Sequence, residues 1–184
     1  YDQLPMLRAI DNLNVYRVAD EEELRFAMIE AYSSKENSSV LVLSRQNIKS
    51  LNVNLTFKQF KKGAYIVKDC KNPDYVIAAS GSEVNLALEI AKDLKNVRVV
   101  SVPCLDKVVK ISEKELKELF GAKKSLITLE SSADFKWFRL HLNNQNNVHL
   151  GAYTFGKSMD GEKLYKDKGF DKEIILKHIL ENKN

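Results

Sequence analysis

Apolar positions recur along the chain in two rhythms. Runs of mostly branched apolar residues at 40–43, 75–80, 97–102 and 125–130 stop at polar residues or proline. Each has the length of a strand covered on both faces. Shorter β-prone runs lie at 15–18 and 148–150. Between the runs the apolar spacing becomes helical. Leu24, Ala27, Met28, Ala31 and Tyr32 share one face, and Val84, Ala87, Leu88, Ala91 and Leu94 share another.

Helix start and stop signals fit this alternation. Asp20 precedes Glu23 by three residues and Ser112 precedes Glu115 by three, the spacing of a capping box. Gly81 supplies a tight turn before Ser82 and Glu83 open a helix. A short helix beginning at 161 ends at Gly169, and Asp171 caps the last one. The segment "DFKWFRLHL" reads as helical and "NNQNN" as a polar loop.

Strand–helix–strand over residues 15–43 predicts two parallel neighbours joined by a right-handed crossover. Residues 48–62 carry no clear period, and a domain boundary is expected there. From "GAYIVKD" onward the order is β-β-α-β-α-β. The fold expected is α/β, a mostly parallel sheet flanked by helices on both faces and preceded by a βαβ remnant. The units are residues 1–57, part of one domain, and 58–184, a second domain. No internal repeat is seen. The opening "YDQLPMLRAI" has the look of the tail of an earlier element, so a fragment is expected.

Composition adds exclusions. The 184 residues carry 29 basic and 25 acidic side chains, net +4, with no long block of one sign. A nucleic-acid surface would need a basic stripe. No run reaches the roughly 18 apolar residues of a membrane span, and no signal peptide opens the chain. Cys70 and Cys104 lack metal or redox spacing, as do His141, His149 and His178. The expected setting is cytoplasmic, with reduced thiols.

Three stretches carry candidate chemistry. Ser44-Arg45-Gln46-Asn47 ends the run 40–43, and strand carboxyl ends are where open α/β sheets bind ligands. Arginine offers a planar fork for phosphate, and its neighbours add neutral donors. By spacing alone, a surface loop fits equally well. "SGSE" at 80–83 is a strand–turn–helix start, but one glycine is not a phosphate cradle. It reads as a well-capped helix with Glu83 set against the dipole. Glu130 ends an apolar run beside two serines and reads as a polar edge or interface residue. No nucleophile–base constellation assembles from local spacing.

Taken together, "LRAIDNLNVYRVADEEE", "VLVLSRQN", "KGAYIVKDCKNPDYVIAASGSEVNLALEIAKDL", "VRVVSVPCLD" and "YTFGKSMDGEKLYKDKGF" resemble the C-terminal part of transketolase, in order, over nearly the whole chain. The resemblance implies the end of a pyrimidine-binding domain followed by the family's C-terminal domain. Asp11 and Val18 stand where the family usually has proline, Ser80 where it has threonine, and "SMDG" where it has a proline-containing turn.

The resemblance further implies a homodimeric, thiamine-diphosphate- and Mg-dependent transferase of the pentose phosphate pathway. Such an enzyme moves a two-carbon ketol unit between sugar phosphates. Within it, Arg45 would hold the substrate phosphate, with Ser44 and Gln46 in support. Catalytic, cofactor and metal residues would lie in upstream domains, so this chain alone would be inactive. Two alternatives stay open. One is a related thiamine enzyme, deoxyxylulose phosphate synthase or a 2-oxo acid dehydrogenase beta subunit. The other is a stand-alone interaction or nucleotide-binding module.

Overall fold

The computed structural model describes residues 2–141 and 146–181. Two sheets form. The first pairs β1 (Leu13–Arg17) with β2 (Ser38–Val42) in parallel, register Leu13 to Ser38 through Arg17 to Val42. The crossover is α2 (Glu21–Ser33), and a short α1 (Gln3–Arg8) precedes β1.

The second sheet has the order β3-β5-β4-β6-β7, from strands Tyr65–Lys68, Tyr75–Ala79, Val97–Ser101, Ser125–Glu130 and Val148–Gly151 in chain order. All pairs are parallel except β3 with β5, an antiparallel edge. Alternation along β4 divides the core. Tyr75, Ile77 and Ala79 face α4 (Glu83–Ile90) and α8 (Lys172–Glu181). Val76 and Ala78 face α5 (Leu105–Val108), α6 (Glu113–Phe120) and Trp137. A mostly parallel sheet with helices on both faces is the architecture expected. The remaining helices are α3 (Phe57–Phe60) and α7 (Gly161–Asp167).

Local signals hold where their partners are local. Ser112 and Glu115 close a full capping box. Asp171 Oδ1 accepts from the backbone N–H groups of Glu173 and Ile174, and Gly169 takes the left-handed conformation, φ +82°.

Four expectations are corrected. Residues 40–43 are not a strand covered on both faces: Val40, Leu41 and Val42 are half-buried, and Leu43 is 56% exposed. β2 pairs only with β1, so one edge lacks a neighbour among the described residues. The buried face of α2 is Glu23, Phe26, Ala27 and Glu30, while Met28 and Tyr32 are exposed. Buried partners of the two glutamates turn the helix that way. Glu23 accepts from Ala19 N, Tyr65 Oη and Ser101 Oγ, and Glu30 pairs with Lys107. Glu23 therefore bypasses the Asp20 backbone, although Asp20 still accepts from Glu23 N. Finally, Phe135–Leu140 is a 3₁₀ turn rather than an α-helix. Residues 142–145, including part of "NNQNN", lie outside the described residues.

Candidate anion site at the junction of the two sheets

β1 docks end-on against the carboxyl edge of the five-stranded sheet. Arg17 N donates to Pro103 O at 2.8 Å, and Gly81 N donates to Arg17 O at 3.1 Å. These are the ends of β5 and β4. β4 leads through α4 to β5 on one side, whereas β6 leads to β7 on the other. The crevice beyond β4 and β6 is therefore the topological switch point, where open α/β sheets bind ligands.

Here two arginines of the first unit fill that crevice. Arg8 places Nη2 at 2.8 Å from Glu130 Oε1 and Nη1 at 2.7 Å from both Glu130 Oε2 and Asp134 Oδ2. Glu130 also accepts from Ser80 Oγ (2.6 Å), Ser132 Oγ (2.6 Å) and Trp137 Nε1 (2.9 Å). Burial by itself would raise this carboxyl, but the charge and hydrogen bonds of Arg8, with Arg17 behind it, hold it well below the usual range. Arg17 pairs with Glu83 and donates to Ser80 O (2.6 Å) and Ser131 Oγ (3.0 Å). Tyr165 Oη, from α7, donates to Glu83 Oε1 at 2.5 Å.

The "SGSE" turn is thus not the capped helix start expected. Ser82 makes no side-chain cap, and Glu83 is fully buried against Arg17. Gly81, at φ +56°, is required. A Cβ there would lie 2.9 Å from Arg17 Cγ, and few side chains adopt that φ. Glu130 is an interface residue, and more deeply buried than an edge.

Beside this junction is a cleft of about 210 Å³ whose lining includes Arg17, Val42, Ser44, Arg45, Ser82 and Tyr165. Arg45 is exposed on its rim, and among the described residues no partner holds its guanidinium. Ser44 Oγ donates to Gln46 Oε1 at 3.1 Å and accepts from Gln46 N at 3.2 Å, a latch that spans Arg45. The structure therefore brings Ser44, Arg45 and Gln46 together at a cleft. It adds Arg17 and Tyr165, which sequence reasoning passed over. Arg17 is the last residue of β1, and Arg45 follows the end of β2 by three residues; an arginine at or just past a strand end was the one signal available. Tyr165 had none, because its partner Glu83 is 82 residues away.

Among the described residues no group of three or more His, Cys, Asp or Glu is placed to hold a metal ion, and no helix is long and apolar enough to cross a membrane. Cys70 and Cys104 are free thiols.

Residues 63–171 match the family of transketolase-like C-terminal domains. A transketolase of Mycoplasma genitalium is 46% identical over 188 aligned positions, which take in all of this chain and 29% of that protein. A solved transketolase from Leishmania mexicana superposes with a TM-score of 0.88 at 33% identity, covering 98% of this chain and 26% of that one. A Pichia stipitis transketolase solved in complex with sedoheptulose-7-phosphate gives 0.85 at 26% identity, with 98% and 26% covered. The chain thus spans under a third of the length of these relatives.

Proposed function

This chain belongs to the transketolase family, and from that premise we propose that it serves within a complete transketolase as the part that grips the sugar phosphate. The observation that carries this is the state of Arg45. Its guanidinium is exposed and unpaired at the carboxyl end of a strand, on the rim of a cleft, while Arg8 and Arg17 nearby are spent on buried carboxylates. A free, permanently charged fork in that place suits a phosphate. The complex of the Pichia stipitis relative with a sugar phosphate supports the same substrate class.

The activity proposed is transfer of a two-carbon ketol unit between sugar phosphates in the pentose phosphate pathway, by a cytoplasmic homodimer. Residues 1–57 would be the end of the pyrimidine-binding domain and 58–184 the C-terminal domain. Transketolases generally depend on thiamine diphosphate and a metal such as Mg. This chain's residues do not fit that group. No metal-binding cluster occurs among the described residues, and the buried carboxylates Glu83, Glu130 and Asp134 are already met by arginines. We place the cofactor, and the residues that touch reacting atoms, elsewhere in the complete enzyme.

The test is Arg45→Ala in that enzyme. A charged hydrogen bond contributes about 1.5–3 kcal/mol, so KM for phosphorylated donors should rise roughly 10- to 100-fold. The phosphate is remote from the reacting carbons, so kcat should change less. An unphosphorylated donor such as hydroxypyruvate should be nearly indifferent. Equal losses with both donor classes would overturn the reading.

A further inference from the structure

We infer that α7 of the five-stranded unit is a positioning element for the phosphate grip, acting on Arg45 through the contact between Gly161 and Gln46. This rests on the reading of Arg45 as the phosphate residue. Arg45 has no partner of its own, so its aim depends on the backbone of the loop that carries it. That loop is latched by Ser44 and Gln46, whose side-chain oxygen faces Ser44. The amide nitrogen of the same Gln46 lies on the other side, against α7. A Cβ built on Gly161 would sit 2.9 Å from Gln46 Nε2. A side chain at position 161 would press on the tip of Gln46, and the glutamine amide would have to turn aside from the place it holds in the latch.

The wall behind Gln46 is firmly fixed. Asp160 Oδ1 accepts from the backbone N–H groups of Glu162 and Lys163, which sets the first turn of α7. Tyr165, one turn on, is tied to Glu83 and packs on Phe170 with ring centroids 5.6 Å apart. Beyond Gln46 a cleft of about 540 Å³ opens between α4, α7 and α8. A Gln46 amide pushed off Gly161 has that space to enter, so the substitution disturbs the latch rather than the fold.

The experiment is a series in the complete enzyme: Gly161→Ala, Gly161→Leu, Gln46→Ala and the two double variants, beside Arg45→Ala. Loss of one latch hydrogen bond predicts a rise in KM for phosphorylated donors of about three- to tenfold. The rise should be larger for leucine than for alanine. For the two Gly161 single variants, hydroxypyruvate kinetics and the melting temperature should stay close to wild type. In the Gln46→Ala background, adding either Gly161 substitution should have no further effect, because the two act through one contact. If the Gly161 effect persists without Gln46, or falls equally on both donor classes, α7 does not position the grip. If Arg45→Ala discriminates between donors and the Gly161 series does not, this inference fails alone. If Arg45→Ala does not discriminate, the underlying reading fails and takes the inference with it.

Discussion

β4 and β6 are buried along their whole length, whereas β2, just as apolar in its last three residues, is only half-buried. The difference lies in what surrounds each strand. β4 and β6 have a partner on each edge and helices on each face. β2 has one partner, and α2 turns Met28, Ile29 and Tyr32 outward. The five-stranded unit supplies most of the residues of the two clusters that sandwich its sheet, with Ala19 and Leu51 of the first unit added to one of them. The two-stranded unit leans on it through charge: Arg8 to Glu130, Arg17 to Glu83, Glu30 to Lys107. It also shares an apolar cluster in which Tyr16, Val18 and Phe26 meet Phe60, Tyr65 and Cys104. Buried charge at a junction gives little net stability, but removing one partner is costly because the other ion is left buried and unpaired.

The largest effect is expected from cutting the chain between the two units. Residues 58–184 expressed alone are expected to fold with one cooperative thermal transition, and residues 1–57 to remain unfolded, since two strands rarely suffice. A molten product from 58–184 would sink the contrast.

Next in size is Arg8→Ala. It strands Glu130 and Asp134 without their cation, and removing one partner of a buried pair costs roughly 3–5 kcal/mol. Urea unfolding of the whole chain measures this. A loss below about 1 kcal/mol, the scale of an exposed pair, would mean the junction tolerates open charge.

Third is a pH effect split between the units. Burial, against the hydrogen bonds it accepts, raises the Glu23 carboxyl from 4.5 to about 7. The folded state then holds the proton more tightly, so this group's stabilisation is full below about pH 4.5 and is lost as pH rises through 7. Burial lowers His149 from 6.5 to about 4, so its stabilisation is present above 6.5 and is lost as pH falls through 4. Between pH 4.5 and 6.5 the two slopes oppose each other. Glu23→Gln should expose the histidine's slope, with stability climbing as pH rises. At 1.36 kcal/mol per pH unit the Glu23 swing is on the order of 3 kcal/mol. Thermal melts across this range that are unchanged by the substitution would refute the assignment.

The smallest effect is expected on the open face of α2. Met28→Lys and Tyr32→Lys in this chain should each shift stability by less than about 0.5 kcal/mol. A larger loss in melting experiments would show that something covers that face.

The elements of the larger unit, the two faces of its sheet, the Ser112 capping box and the Gly169 stop were all legible in the amino-acid order. Those depend on spacing within a few residues, which a linear chain displays. That order also put Arg45 at a strand's end, and left open whether that end was a site. The rest follows from contacts between residues far apart in the chain. Glu23 and Glu30 turned α2 onto an unexpected face because their partners, Ser101 and Lys107, are 78 and 77 residues away. Arg8 meets Glu130 across 122 residues. It closes a crevice whose emptiness or fullness no local pattern records. Burial sets what an ionised side chain costs and which partner it must find, and burial is a property of the folded whole.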